Sequence, residues 1–132
     1  MAHAAWETAS DKSNWWASGC GFVFRADAAN EAHYMVYLAL DGNARLAINL
    51  KGKWKLLGTS FYGSVGIPSG EADIALAAVG PMVTFLVNGR AVHTWRTAAL
   101  ADGNLAYTLV SGTNKDYGFH CKLTDVRLWV PE

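Results

Sequence analysis

Hydrophobic and polar positions alternate with a period of two along most of the chain. From Cys20 to Arg25, Cys20, Phe22 and Phe24 fall on one side and Val23 and Arg25 on the other, the pattern of a strand with one face in a core. Tyr34–Leu40 predicts a second strand and Ala44–Leu50 a third, with Leu46, Ile48 and Leu50 on one side. The tight-turn residues Asp41-Gly42-Asn43 join them as a hairpin. Lys51-Gly52-Lys53 interrupts the run before Trp54–Leu57, and the glycines and prolines between 58 and 70 predict a long loop. Ala72–Val79, Met82–Val87 and Arg90–Trp95 read as a meander turning at Gly80-Pro81 and at Asn88-Gly89. The second turn suits a type I′ hairpin, in which both central residues take positive φ. Leu105–Val110 and a stretch from Phe119 to Val130 complete the series. Residues 1–19 show no comparable alternation and read as an irregular entry segment, tethered by Trp15 and Trp16, ahead of a single domain over 20–132.

Strands recurring every ten to twelve residues predict an all-β antiparallel sandwich. Composition agrees: 13 glycines punctuate short runs of β-branched and aromatic residues, and 52% hydrophobic residues in 132 suffice for one core. Eleven basic residues balance eleven acidic ones, so no net field draws the chain to nucleic acid. The longest apolar stretch, Ile74–Val87, contains Gly80 and Pro81 and is shorter than the roughly 20 residues of a spanning helix, so no membrane insertion is expected. Residues 1–14 carry no signal-peptide pattern.

Gly19-Cys20-Gly21-Phe22-Val23-Phe24-Arg25 with Tyr34–Leu40 and Asp41-Gly42, Gly80–Gly89 with Asn88-Gly89, and Ser111-Gly112 through Leu128-Trp129 resemble the concanavalin A-like jelly rolls. Within these the chain is similar to bacterial laminin G-like and 3-keto-disaccharide hydrolase-type domains, over about residues 19–130. The resemblance implies two antiparallel sheets, one with a concave face, in an extracytoplasmic protein that binds or processes polysaccharide. It also implies that the first and last strands meet, which would bring Cys20 and Cys121 side by side as a disulfide, both on core-facing parity; two buried free thiols are the alternative.

Chemistry is sparse. Glu71 and Asp73, at i and i+2 on one strand, are the candidate catalytic carboxylates, but the third acid of a glucanase-style array is replaced by Ala75. Solvated surface acids are the plainer reading. The histidines at 3, 33, 93 and 120 have no ligand spacing or carboxylate cluster beside them in sequence, so no metal is expected. No nucleophile elbow or phosphate-cradling loop occurs, and no cofactor is expected. Sugars are held by flat aromatic rings and a few well-placed polar groups. Arg25, Tyr37, Arg45, Asn49, His120 and Lys122 have outward parity, and Trp54, Tyr62 and Trp95 are candidates to border a groove. The expectation is a non-catalytic module binding carbohydrate on a concave sheet face. The alternatives are a glycoside-processing hydrolase and a protein-interaction or sensor domain of a larger surface protein, with self-association through an uncovered apolar edge a further expectation.

Overall fold

The computed structural model describes residues 1–8, 18–27, 31–66, 69–97, 104–110 and 119–127. Every regular element among them is a strand: β1 (Ala2–Thr8), β2 (Gly19–Asp27), β3 (Ala32–Ala39), β4 (Asn43–Leu50), β5 (Lys53–Phe61), β6 (Ser69–Val79), β7 (Met82–Val87), β8 (Arg90–Arg96), β9 (Asn104–Val110) and β10 (Phe119–Thr124). They form two five-stranded antiparallel sheets, the first ordered β10-β1-β6-β7-β8 and the second β5-β4-β3-β2-β9. The all-β sandwich expected from the alternation is the observed architecture.

The core is the set of inward positions from both sheets. Cys20, Phe22 and Phe24 of β2, Tyr34, Val36 and Leu38 of β3 and Ala44, Leu46 and Ile48 of β4 meet Ala2, Ala4, Trp6, Ala72, Ile74, Val83, Phe85 and Val87 of the first sheet. Phe22 and Phe85 touch edge-to-face across the interface, with ring centroids 6.4 Å apart at 71°. Such a pair contributes about 0.5–1.5 kcal/mol beyond its buried area. At the β7–β8 turn Asn88 and Gly89 have φ of 52° and 78°, as a type I′ hairpin requires.

Three expectations are corrected. Ala2–Thr8, read as irregular, is a strand inside the first sheet, bonded to β10 on one side and β6 on the other. Ala2, Ala4 and Trp6 are buried, but alanine is also found on the outer side, at Ala5, so period-two contrast is weak in the sequence. The expected tether at Trp15 and Trp16 lies outside the described residues. Second, the loop predicted from residue 58 begins only after Phe61, because β5 pairs with β4 along its length. Gly58 is there for close approach: a Cβ on it would lie 2.3 Å from Trp95 Nε1, so the indole of β8 packs against bare backbone.

Third, Arg25 does not project outward. Its φ is 50°, and β2 changes register around it against both β3 and β9. This bulge re-aims the side chain, as bulges do. The buried guanidinium donates to Thr97 Oγ1 just past β8 and to the Gly80 carbonyl in the β6–β7 turn. Thr97 in turn donates from its backbone N and its hydroxyl to Pro81 O, at 2.6 and 3.1 Å. Arg25 is thus a pin between the second sheet and the end of the first.

Cys20 and Cys121 form a disulfide, with Cα atoms 6.2 Å apart and 101 positions of sequence between them. The bridge runs between β2 and β10 in opposed sheets, whereas the in-sheet neighbours are β1 for β10 and β3 and β9 for β2.

Closing a loop of about 100 residues removes denatured-state entropy worth about 4–5 kcal/mol in the chain-entropy account. The double variant Cys20→Ala/Cys121→Ala should lower unfolding free energy in urea by about that amount, and an unchanged midpoint would refute the cross-sheet staple. Arg25→Ala leaves the Gly80 carbonyl and Thr97 without their charged donor, so a loss of about 2–3 kcal/mol is expected. A variant as stable as the parent would show that the pin holds nothing.

Candidate functional site

The outer face of the second sheet is laid out in rows set by strand register. One row is Trp54–Asn49–His33, the next Leu56–Ala47–Met35–Val23, and the third Thr59–Arg45–Tyr37–Gly21. All point away from the core because their strand neighbours Tyr34, Val36, Leu46 and Ile48 point into it. The middle of the face is closed: Tyr37, Met35 and Ala39 form a second buried cluster with Val23 against it, and Ala47 and Asn49 are buried beside them. Tyr37 therefore has the outward parity expected of it but is only 6% exposed. Burial raises the affinity of its phenol for its proton, an effect opposed by the Arg45 charge and reinforced by Asp41.

Two polar residues expected to contact ligand close the hairpin turns instead. Arg45 grips Asp41 with two parallel bonds, Nη1 to Oδ1 at 2.9 Å and Nη2 to Oδ2 at 2.5 Å. Asp41 Oδ1 also accepts the Asn43 backbone N–H at 3.0 Å. Burial pushes the Asp41 carboxyl up, but the bonds from Arg45 and Asn43 outweigh it and hold the group below its ordinary range; the same pairing raises Arg45. Asn49 Oδ1 accepts from Gly52 N at 3.0 Å, shaping the β4–β5 turn.

The β5 side of the face is open. Trp54 is 52% exposed, and the His33 ring meets it at 5.2 Å and 82°, edge against face. Leu56 and Phe61 continue the exposed row along this edge strand, with Leu57 at the β4–β5 bulge. A braced, half-exposed indole on a hydrogen-bonded sheet is a rigid flat surface, the form that stacks under a sugar ring.

The remaining candidates do not converge on it. Tyr62 packs against the core, its hydroxyl accepts from Asn88 Nδ2 at 3.1 Å, and Arg90 lies 4.5 Å over its ring. Trp95 also packs against the core, with His93 at 4.9 Å. Lys122 stands opposite Ala5 on the outer face of the first sheet, on the far side of the sandwich. His120 is paired with Glu7 in the same sheet, and its side chain lies outside the described residues.

On that far face the structure corrects one further expectation, since a histidine does stand among carboxylates. β1 pairs with β6 so that His3 faces Asp73, and Nδ1 lies 2.8 Å from Asp73 Oδ1 while Nε2 lies 3.4 Å from Glu71 Oε2. The contact spans 68 and 70 positions of sequence, so no local spacing announces it. The two nitrogens address different carboxylates, and both acids are largely exposed. Among the described residues no group fit to hold a metal ion occurs. Glu71 and Asp73 work here as a clip on β1 rather than as an acid pair facing across a cleft.

The hydrogen bond to Asp73 raises the His3 pKa above 6.5, with Glu71 adding to it against a smaller opposing effect of burial. The clip is therefore fully formed below pH 6.5 and is lost as pH climbs through the raised folded value. NMR titration of the His3 ring should give a midpoint above 6.5, moving back toward 6.5 in Asp73→Asn. A midpoint at or below 6.5 in the parent would dismiss the clip.

No protein-family model and no curated protein matches the chain. Solved structures do. A carbohydrate-binding module, CBM66 from Bacillus subtilis, superposes with a TM-score of 0.63 at 12% identity, over 89% of this chain and 70% of that one. Sheep galectin-11 in complex with glycerol gives a TM-score of 0.45 at 9% identity, over 90% of each chain. The concanavalin A-like motifs stay a resemblance of sequence, and what the likeness to CBM66 establishes is the two-sheet β-sandwich fold of this chain.

Proposed function

We propose that this domain is a non-catalytic carbohydrate-binding module that takes its ligand on the β5 side of the outer face of the second sheet. The observation that carries the reading is Trp54: a large indole, half exposed, held edge-to-face by His33 on a bonded sheet. Its fold is shared with a carbohydrate-binding module, which supports the same reading. The disulfide between Cys20 and Cys121 suits a protein that works in an oxidising, extracytoplasmic setting. Arg25, Tyr62 and Trp95 are excused from contact by their structural roles.

A protein partner is the second reading, favoured by Leu56, Leu57 and Phe61, which are exposed along an edge strand. A panel of immobilised glycans separates the two. Trp54→Ala should weaken binding of any retained glycan at least roughly tenfold, about 1.4 kcal/mol, with thermal unfolding unchanged. Retention of full affinity by Trp54→Ala, or an absence of glycan binding across the panel, would overturn the proposal.

A further inference from the structure

The charge around Trp54 has one sign. The chain as a whole is balanced at eleven acids and eleven bases, yet no Asp or Glu occurs from Gly42 to Gly70, a stretch that includes β4 and β5 and carries Arg45, Lys51, Lys53 and Lys55. Arg45 is committed to Asp41, which cancels both charges in the turn at the other end of the hairpin. The three lysines are exposed, and among the described residues none has an ion-pair partner. Glu31 adjoins Lys51 through a backbone bond of 2.9 Å, but their side chains form no ion pair. Lys53 and Lys55 flank Trp54 on either side along β5, about 6.7 Å apart by strand rise, and Lys51 sits in the turn leading into it. β5 is the free edge of its sheet, so these flexible four-carbon stems reach past the backbone to either side.

Resting on the carbohydrate-binding reading above, we propose that the ligand is a polyuronate, a polysaccharide with a carboxylate on each sugar ring. A uronate carries its charge at the edge of the ring and leaves the ring face apolar. The face can lie on Trp54 while the carboxylates of that sugar and its neighbours meet Lys51, Lys53 and Lys55. Compact ammonium point charges suit single carboxylates. Sulfate esters and phosphodiesters favour the planar fork of arginine, and the one arginine of this stretch is already paired. Exposed charges acting through solvent also make the interaction sensitive to salt.

The experiment is isothermal titration with polygalacturonate and with the same polymer after chemical reduction of its carboxyl groups. Dextran sulfate and single-stranded DNA serve as polyanions of other kinds. Polygalacturonate should bind, and weaken at least roughly tenfold on going from about 0.05 to about 0.5 M salt. The reduced polymer should bind at least roughly tenfold more weakly. The triple variant Lys51→Gln/Lys53→Gln/Lys55→Gln, with unfolding temperature unchanged, should lose the preference for the charged polymer. Equal affinity for charged and reduced polymers would overturn the polyuronate assignment and leave the glycan-binding reading standing. Tighter binding of dextran sulfate or DNA than of polygalacturonate would also overturn it, in favour of a general polyanion surface. Failure to bind any glycan, charged or neutral, would remove both readings together.

Discussion

The structure depends on one packing constraint: two sheets must bury the same interface, and only alternate residues of each strand can reach it. Phe22, Phe24, Tyr34, Val36, Leu46 and Ile48 from one side and Trp6, Ile74, Val83, Phe85 and Val87 from the other fill that interface. Core density leaves little latitude for a slip, because a shift of one residue in any strand would send its whole apolar set to the outside. Everything available for function is what the constraint leaves on the outer faces and at the edges.

The sandwich is held at its margins by contacts that cross from sheet to sheet. The disulfide links β2 to β10. Arg25 reaches from β2 to Gly80 and Thr97 at the end of the first sheet. Trp95 of β8 lies on the bare backbone of Gly58 in β5, and Ser60 Oγ donates to Val92 O nearby at 3.4 Å. These contacts use a bulge, a glycine and two cysteines, residue types whose purpose shows only when the opposing sheet is in place. They also explain why Arg25 and Trp95, attractive as ligand-binding residues, are engaged elsewhere.

The two outer faces differ in chemistry. That of the first sheet gathers His3, Glu71 and Asp73 into a proton-dependent clip on β1. That of the second sheet is closed over Tyr37, Met35 and Ala47 and opens only toward β5, where Trp54 stands among lysines. An open sheet edge beside exposed apolar side chains is a general hazard for soluble proteins, and lysine is a usual means of blunting it. On β5, Lys53 and Lys55 serve that purpose whichever ligand the indole receives.

Period-two alternation, with turn residues such as Asn88-Gly89, was enough to establish the fold class, most strand positions and which Phe, Val and Leu side chains face inward. Those properties are local: each depends on a residue's own strand and the face it shares with its neighbours two positions away. It also assigned the outward parity of Tyr37, Arg45, Asn49 and Trp54. It missed β1, because alanine on both sides hides the alternation, and it misread Gly58 as a breaker. Which outward residues are open, and which are spent, was decided only in three dimensions. The bulge at Arg25, the Arg45–Asp41 grip, the burial of Tyr37 and the meeting of His3 with Asp73 depend on which strands become neighbours and on what covers them. Register between strands distant in sequence is settled by the packing of the whole sandwich, which no single strand encodes.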